Sequence, residues 1–267
     1  MSKKFELKVK IAGICFSIVS ESPEVIQLLK KWYDGFLSSG KPVGRIEIEV
    51  NDIEAGHRGV NFFTKNEHVY ALDRDFMGCI NLREDWGKII IKDARYSLVD
   101  IFPRVFYSML ALKYDGFLIH AAGMLKGDSG LLFTGPSGAG KTTVSRLSQE
   151  RYQIVNDDIV AVRKIDGEFR LFGTPFWGTI NIKRKNRSGR LKAIFVLKKD
   201  NRLHFKKMGG REALGALMSN ILLFTTQLQM NEKILDLSLE VLKKTPIYKM
   251  HFLPEDSFLG WINEHIT

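Results

Sequence analysis

Apolar and charged residues alternate at the start of the chain: Phe5, Leu7, Val9 and Ile11 are separated by Glu6, Lys8 and Lys10. A period of two puts every second side chain on one face, which predicts a half-buried strand. "ICFSIVS" follows after a short break, so the two segments read as a hairpin. Ser22-Pro23-Glu24 predicts a helix start, with a hydroxyl cap, proline at the first helical position and an acid in the first turn. Val25, Leu28, Leu29, Trp32 and Phe36 give that helix its apolar face. "RIEIEV", "HVYAL" and "GKIIIK" predict further strands, parted by turn-like Asn-Asp and Asp-Arg-Asp. Over residues 97–113, Leu98, Phe102, Val105, Phe106, Met109 and Leu110 recur at helical spacing. Pro103 inside that run either kinks the helix or marks its true start.

From Gly116 the pattern changes. "FLIHAAGML" is nearly continuous apolar sequence, as in a strand covered on both faces. "LLFT" is a second strand; a glycine loop follows, then a helix from Lys141 to about Glu150. "YQIV" and "IVAVRK" flank "NDD", and "EFRLF", "TINIK", "LKAIFVLKK" and "LHFKK" read as more strands. Helices near 210–224, 231–244 and 255–264 close the chain, with "IYKMHF" between the last two. The expectation is an α/β protein: an α+β module over residues 1–95, then a larger domain over 96–267 with more strand than a simple doubly wound sheet.

Composition narrows the partners. With 267 residues, 45% hydrophobic and 26% charged, the chain can bury a sizeable core. No apolar run approaches the ~20 residues of a membrane span, so no membrane partner is expected. The lysine-bearing start before "IAGICFSIV" imitates a secretory leader, but its strict alternation argues for a strand. Cys15 and Cys79 lack metal spacing and read as free thiols in a reducing cytoplasm. A net charge of +10 favours an acidic partner such as a nucleotide, a phosphorylated ligand, an acidic protein or nucleic acid. The densest basic stretch, Lys183 to Arg190, contains no aromatic residue. It lacks the stacking platform of a single-strand binder, so a solvated loop ranks first there, phosphate or substrate contact second and nucleic acid third.

Gly135-Pro136-Ser137-Gly138-Ala139-Gly140-Lys141-Thr142 fits G-x-x-x-x-G-K-[ST] in full, and Thr143 continues into the helix. Small residues let backbone N–H groups turn inward around a phosphate, where a Cβ would block several of the conformations needed. The following helix adds its positive end. Lys141 can reach β- and γ-phosphates, and the Thr142 hydroxyl can sit on Mg²⁺. Downstream, Asn156-Asp157-Asp158 supplies two carboxylates: one to hold the metal and one for proton work on an attacking hydroxyl. The same three residues also make good turn sequence. His120 lies on the preceding strand, where it is either a satisfied core residue or a neighbour of the phosphate site. His57, His68, His204, His251 and His265 show no ligand spacing and read as structural or exposed.

"HAAGMLKGDSGLLFTGPSGAGKTT" followed by "IVNDDIVAV" resembles the catalytic domain of HPr kinase/phosphorylase, and more closely the HPr-kinase-related kinases. The resemblance covers roughly residues 116–257. It implies a P-loop kinase core of the type shared with phosphoenolpyruvate carboxykinase, using ATP and Mg²⁺ to phosphorylate a hydroxyl, typically a serine. On that likeness Asp158 is the base, Asp157 assists with metal beside Thr142, and His120 orients or tunes the pair. An arginine of the basic loop, Arg187 or Arg190, would contact substrate. The family's metal-binding glutamate has no counterpart in "FGTPFWG", residues 172–178, which argues against HPr itself as acceptor. The expected protein is a cytoplasmic kinase acting on a small protein, peptide or hydroxylated metabolite, and a homo-oligomer is open to it. The alternatives are a nucleotide-binding regulator without transfer, or a P-loop ATPase.

Overall fold

The structure is a computed structural model that describes residues 3–53, 59–176, 178–180, 182 and 184–266, with Tyr96 described by its backbone alone. His57, Trp177 of "FGTPFWG" and Lys183 of the basic stretch lie outside the described residues. The chain divides into two compact units, residues 1–113 with 223–231, and residues 114–222 with 232–267.

The first unit contains β1 (Phe5–Ile11), β2 (Ile14–Ser20), α1 (Pro23–Trp32), β3 (Arg45–Val50), β4 (Asn61–Lys65), β5 (His68–Asp73), β6 (Phe76–Asn81), β7 (Trp86–Ile91) and α2 (Tyr96–Lys113). Its seven strands form one sheet in the order β1-β2-β3-β7-β6-β5-β4. The β1–β2 hairpin closes through Ala12 and Gly13, at φ of 48° and 83°. Positive φ at both central residues matches the turn to the strands' own twist. The helix start at Ser22 is as expected: its Oγ accepts from the Val25 N–H at 3.4 Å.

Helix α2 corrects the expected boundary at 95/96, because it belongs to the first unit. The Phe102 ring seats on two glycines of the sheet. A Cβ at Gly78 would lie 2.5 Å from the ring, and one at Gly87 2.9 Å. Tyr107 Oη donates to the Ile11 carbonyl at 3.0 Å, and Tyr33 Oη to buried Asp100 at 2.8 Å. Residues 223–231 return to the same unit, where Phe224 packs on Phe62 with ring centroids 5.0 Å apart. Pro103 lies inside α2 and does not mark its start. Strands β4 and β6 were not among the expected elements; in β6, Gly78 reads as a break but serves as the seat for Phe102.

The second unit contains β8 (Gly116–Lys126), β9 (Ser129–Thr134), α3 (Lys141–Ser148), β10 (Gln153–Asn156), β11 (Ile159–Ile165), β12 (Glu168–Phe172), β13 (Ser188–Lys199), β14 (His204–Met208), α4 (Gly210–Met218), β15 (Ile247–Phe252) and α6 (Phe258–His265). Helix α5 (Leu228–Lys244) begins in the 223–231 segment and continues here. Strand β8 pairs with β11, β11 with β12, β12 with β13, β13 with β9, and β9 with β8, so these pairings close a ring. Strand β15 lies parallel to β13 on its other side, and β14 flanks β15. Phe133, Val144, Phe195, Phe252 and Phe258 share one buried cluster that fixes α3 and α6 on the sheet. Burying side chains of this size contributes about 1.5–3 kcal/mol each.

Two expected elements change. The helix expected to 224 stops at Met218, because the backbone of Asn220 and Leu222 hydrogen-bonds instead to β8 at His120 and Leu118. "TINIK" forms no strand among its described residues: the N–H groups of Thr179 and Ile180 are drawn to Asp157.

Candidate active site

Strand β9 delivers the glycine loop from the core. Gly135, Gly138 and Gly140 have φ of 150°, 78° and 113°, a region that a Cβ disfavours. Gly140 is also sterically required, since a Cβ there would lie 2.5 Å from the Phe252 ring. Pro136, Ser137 and Gly138 are exposed, Ala139 is buried, and Thr142 and Thr143 are half-buried. Gly140 caps α3 without a side chain, so the first-turn N–H groups of Lys141, Thr142 and Thr143 lie outside the helix's own ladder. Lys141 is 7% exposed. Its ammonium donates to the carbonyls of Gly135 at 2.8 Å and Pro136 at 3.2 Å. Burial pushes its pKa below the ordinary lysine value, and the charge of Asp158 partly opposes this.

The acidic turn between β10 and β11 is held by Asn156, which is fully buried. Its Nδ2 donates to the Phe176 carbonyl at 2.9 Å and to Thr174 at 3.2 and 3.3 Å. Its Oδ1 accepts from the N–H groups of Asp158 and Ile159 at 2.9 and 3.2 Å. One side chain therefore ties the turn to the segment after β12. Asp157 is 1% exposed. Its Oδ2 accepts from the N–H groups of Thr179 at 3.2 Å and Ile180 at 3.1 Å, and lies 3.5 Å from the Thr142 hydroxyl. Its Oδ1, equally buried, accepts no hydrogen bond from the described residues. A Cβ at Gly178 would come within 2.2 Å of that oxygen, so the chain passes this carboxylate only because residue 178 has no side chain.

Asp158 Oδ1 lies 2.7 Å from His120 Nε2, and both side chains remain about one-third exposed. The histidine is fixed at its backbone. Its N–H donates to the Asn220 carbonyl at 2.8 Å, and its own carbonyl accepts from Thr134 Oγ1 at 2.9 Å. Thr134 immediately precedes the loop, so β8, β9 and β11 together bring His120, Lys141, Thr142, Asp157 and Asp158 into one neighbourhood.

The two arginines expected at the substrate are not brought there. Arg190 stands opposite Ser129, at the end of β9 away from the loop, and pairs with Asp128 at 3.1 Å. Five residues of strand, about 17 Å, separate that end from Thr134. Arg187 donates to Gln153 at 3.1 Å, beside Leu125 at the same end of β8. The arginine of this stretch that does approach the acidic turn is Arg184, whose Nη2 donates to the Gly178 carbonyl at 3.3 Å. Sequence reasoning missed Arg184, Asn156, Thr174 and Gly178. Each nevertheless lies in a stretch that the sequence singles out: the basic run 183–190, the acidic turn, and "FGTPFWG".

Together these features define a mixed α/β protein of two sheets whose second unit carries a glycine loop beside an acidic turn. The family model described as "SynChlorMet cassette protein ScmC" matches residues 92–264, and the chain belongs to that family. Among solved structures, one similar to it is the Hpr(Ser) kinase/phosphatase from Coxiella burnetii, at 12% identity over 55% of this chain and 91% of that one, with a TM-score of 0.31. Among curated proteins, none matches the chain. Among the described residues, no helix is long and apolar enough to cross a membrane.

Proposed function

We propose that the protein is a kinase that uses ATP and Mg²⁺ to phosphorylate a hydroxyl, most simply a serine of a small protein or peptide, or a hydroxylated metabolite. The observation that carries the reading is the convergence of a lysine, two carboxylates and a histidine at the mouth of one glycine loop, with Asp158 tied to His120 at 2.7 Å. The loop's backbone N–H groups and Lys141 would hold the β- and γ-phosphates. The buried Oδ1 of Asp157, which accepts no hydrogen bond from the described residues, and the nearby Thr142 hydroxyl are hard oxygen donors that suit Mg²⁺. Bound there, Mg²⁺ would neutralise phosphate charge.

Asp158 takes the proton from the acceptor hydroxyl as that oxygen bonds to the γ-phosphorus. The bond from the γ-phosphorus to the bridging oxygen breaks, and ADP leaves with the electron pair. Lys141 and the loop amides meet the charge that develops on the leaving oxygen. His120 holds the Asp158 carboxylate at its working angle, and Arg184 adds a cation on the acidic side of the site.

The test uses γ-labelled ATP and Mg²⁺ with and without serine-bearing acceptor peptides, following both labelled product and free phosphate. Asp158→Asn is expected to bind nucleotide normally and to lose transfer by about 10²–10⁴-fold. Nucleotide binding without turnover would make the protein a regulator, and acceptor-independent phosphate release would make it an ATPase.

A further inference from the structure

A second cluster of chemistry-bearing side chains lies outside the loop site. His204 and His251 stand directly opposite each other across the antiparallel β14–β15 pair. Their rings stack with centroids 3.9 Å apart and planes inclined by 22°. Asp200, one residue past the end of β13, places Oδ2 2.7 Å from His251 Nδ1. One ligand atom from each of the three residues lies within 4.8 Å of the others. The spacing along the chain, 200, 204 and 251, gave no ligand signal, because the set is assembled by strand register. Opposed residues of an antiparallel pair have Cβ atoms only about 4.5–5.5 Å apart, which lets two imidazoles reach one ion.

We propose that Asp200, His204 and His251 form a binding site for a divalent transition metal of the zinc class, with a fourth position open to water. Two imidazoles and a carboxylate are the donor set zinc takes at three-ligand sites. Bonds of about 2.0–2.1 Å put neighbouring tetrahedral ligands roughly 3.3 Å apart. Side-chain rotation supplies the adjustment: exposed His204 has room to turn out of its stack, while buried His251 is the more confined member. The site is chemically distinct from the oxygen donors of Asp157 and Thr142, which suit Mg²⁺. Exposed Lys198, opposite His251 across β13–β15, places a like charge beside the ion and weakens the site. Metal here would clamp the turn after β13 onto the end of β15. Asp200 N–H already donates to the Phe252 carbonyl at 3.1 Å, and the Phe252 ring underlies Gly140. Phe252 thus touches both the proposed metal site, through its carbonyl, and the glycine loop, through its ring. The proposal does not rest on the kinase reading.

The experiment is zinc titration of the tag-free full chain with excess Mg²⁺ present, read by calorimetry and by the melting temperature. Cobalt substitution, read by visible absorption, reports the geometry. Expected are one zinc per chain, a raised melting temperature reversed by chelator, and a tetrahedral cobalt spectrum. His204→Gln, at an exposed position, is expected to weaken zinc at least about tenfold and to leave the metal-free melting temperature unchanged; Asp200→Asn should weaken it likewise. Absence of zinc binding at tens of micromolar would overturn the proposal. So would zinc binding that survives both substitutions together, or that is lost in the control His68→Gln.

Discussion

At the scale of single residues, the site depends on side chains that are absent as much as on those present. Gly178 passes so close to Asp157 Oδ1 that a methyl group would occupy the oxygen's place, and Asp157 is anchored by two backbone N–H groups and cannot step aside. Gly178→Ala is therefore expected to destabilise by about 1–3 kcal/mol and to raise the Mg²⁺ concentration needed for nucleotide binding. Circular dichroism together with a Mg²⁺ titration of nucleotide binding checks both. Lys141 makes the opposite kind of contribution. Burial lowers its pKa in the folded protein, so between that value and the ordinary 10.5 the unfolded chain binds more protons than the folded one. Stability then rises with pH through this window, and the cost of burying the charged amine is fully present below it. Lys141→Met is expected to melt no lower than the parent at pH 7 without nucleotide, yet to lose the stabilisation nucleotide confers; thermal melts with and without ATP and Mg²⁺ decide. The loop lysine, its hydroxyl and the acidic pair were legible in sequence because their chemistry is written locally. Asn156 was legible only as a turn former, since its partners Thr174 and Phe176 come from a distant segment.

At the scale of elements, periodicity found most strands and helices, because burial of one face imposes period two or 3.6 wherever it occurs. It failed where tertiary partners redirected the backbone. "TINIK" has alternating apolar residues, yet the N–H groups of Thr179 and Ile180 serve Asp157. Strand β6 was missed because Gly78 looks like punctuation, while its actual role is to admit the Phe102 ring. Gly78→Val is expected to unseat α2 and to destabilise by about 1–3 kcal/mol. In combination with Phe102→Ala the total should fall short of the sum of the two single effects, since both act on one contact. Denaturant unfolding of the two single variants and the double measures this coupling, and strict additivity would refute the packing argument.

At the scale of the whole molecule, two compact units divide the proposed work unevenly. The loop, the acidic turn and His120 all belong to the second. Nucleotide with Mg²⁺ at a hundredfold above its Kd should stabilise by about 2.7 kcal/mol. Hydrogen exchange is expected to show that protection over β9, α3 and β10, and not over β1 to β7; protection spread evenly over both units would contradict the placement. By itself the sequence determined what nearest neighbours along the chain can dictate: an α/β chain, a phosphate-loop spelling, an adjacent pair of carboxylates and most of the elements that carry them. Tertiary structure alone decided which arginine bonds to the segment beside the acidic turn, that α2 and residues 223–231 join the first unit, and that two histidines 47 positions apart meet over Asp200. The physical reason is that strand register and close packing bring together residues whose separation along the chain carries no trace of their contact in space.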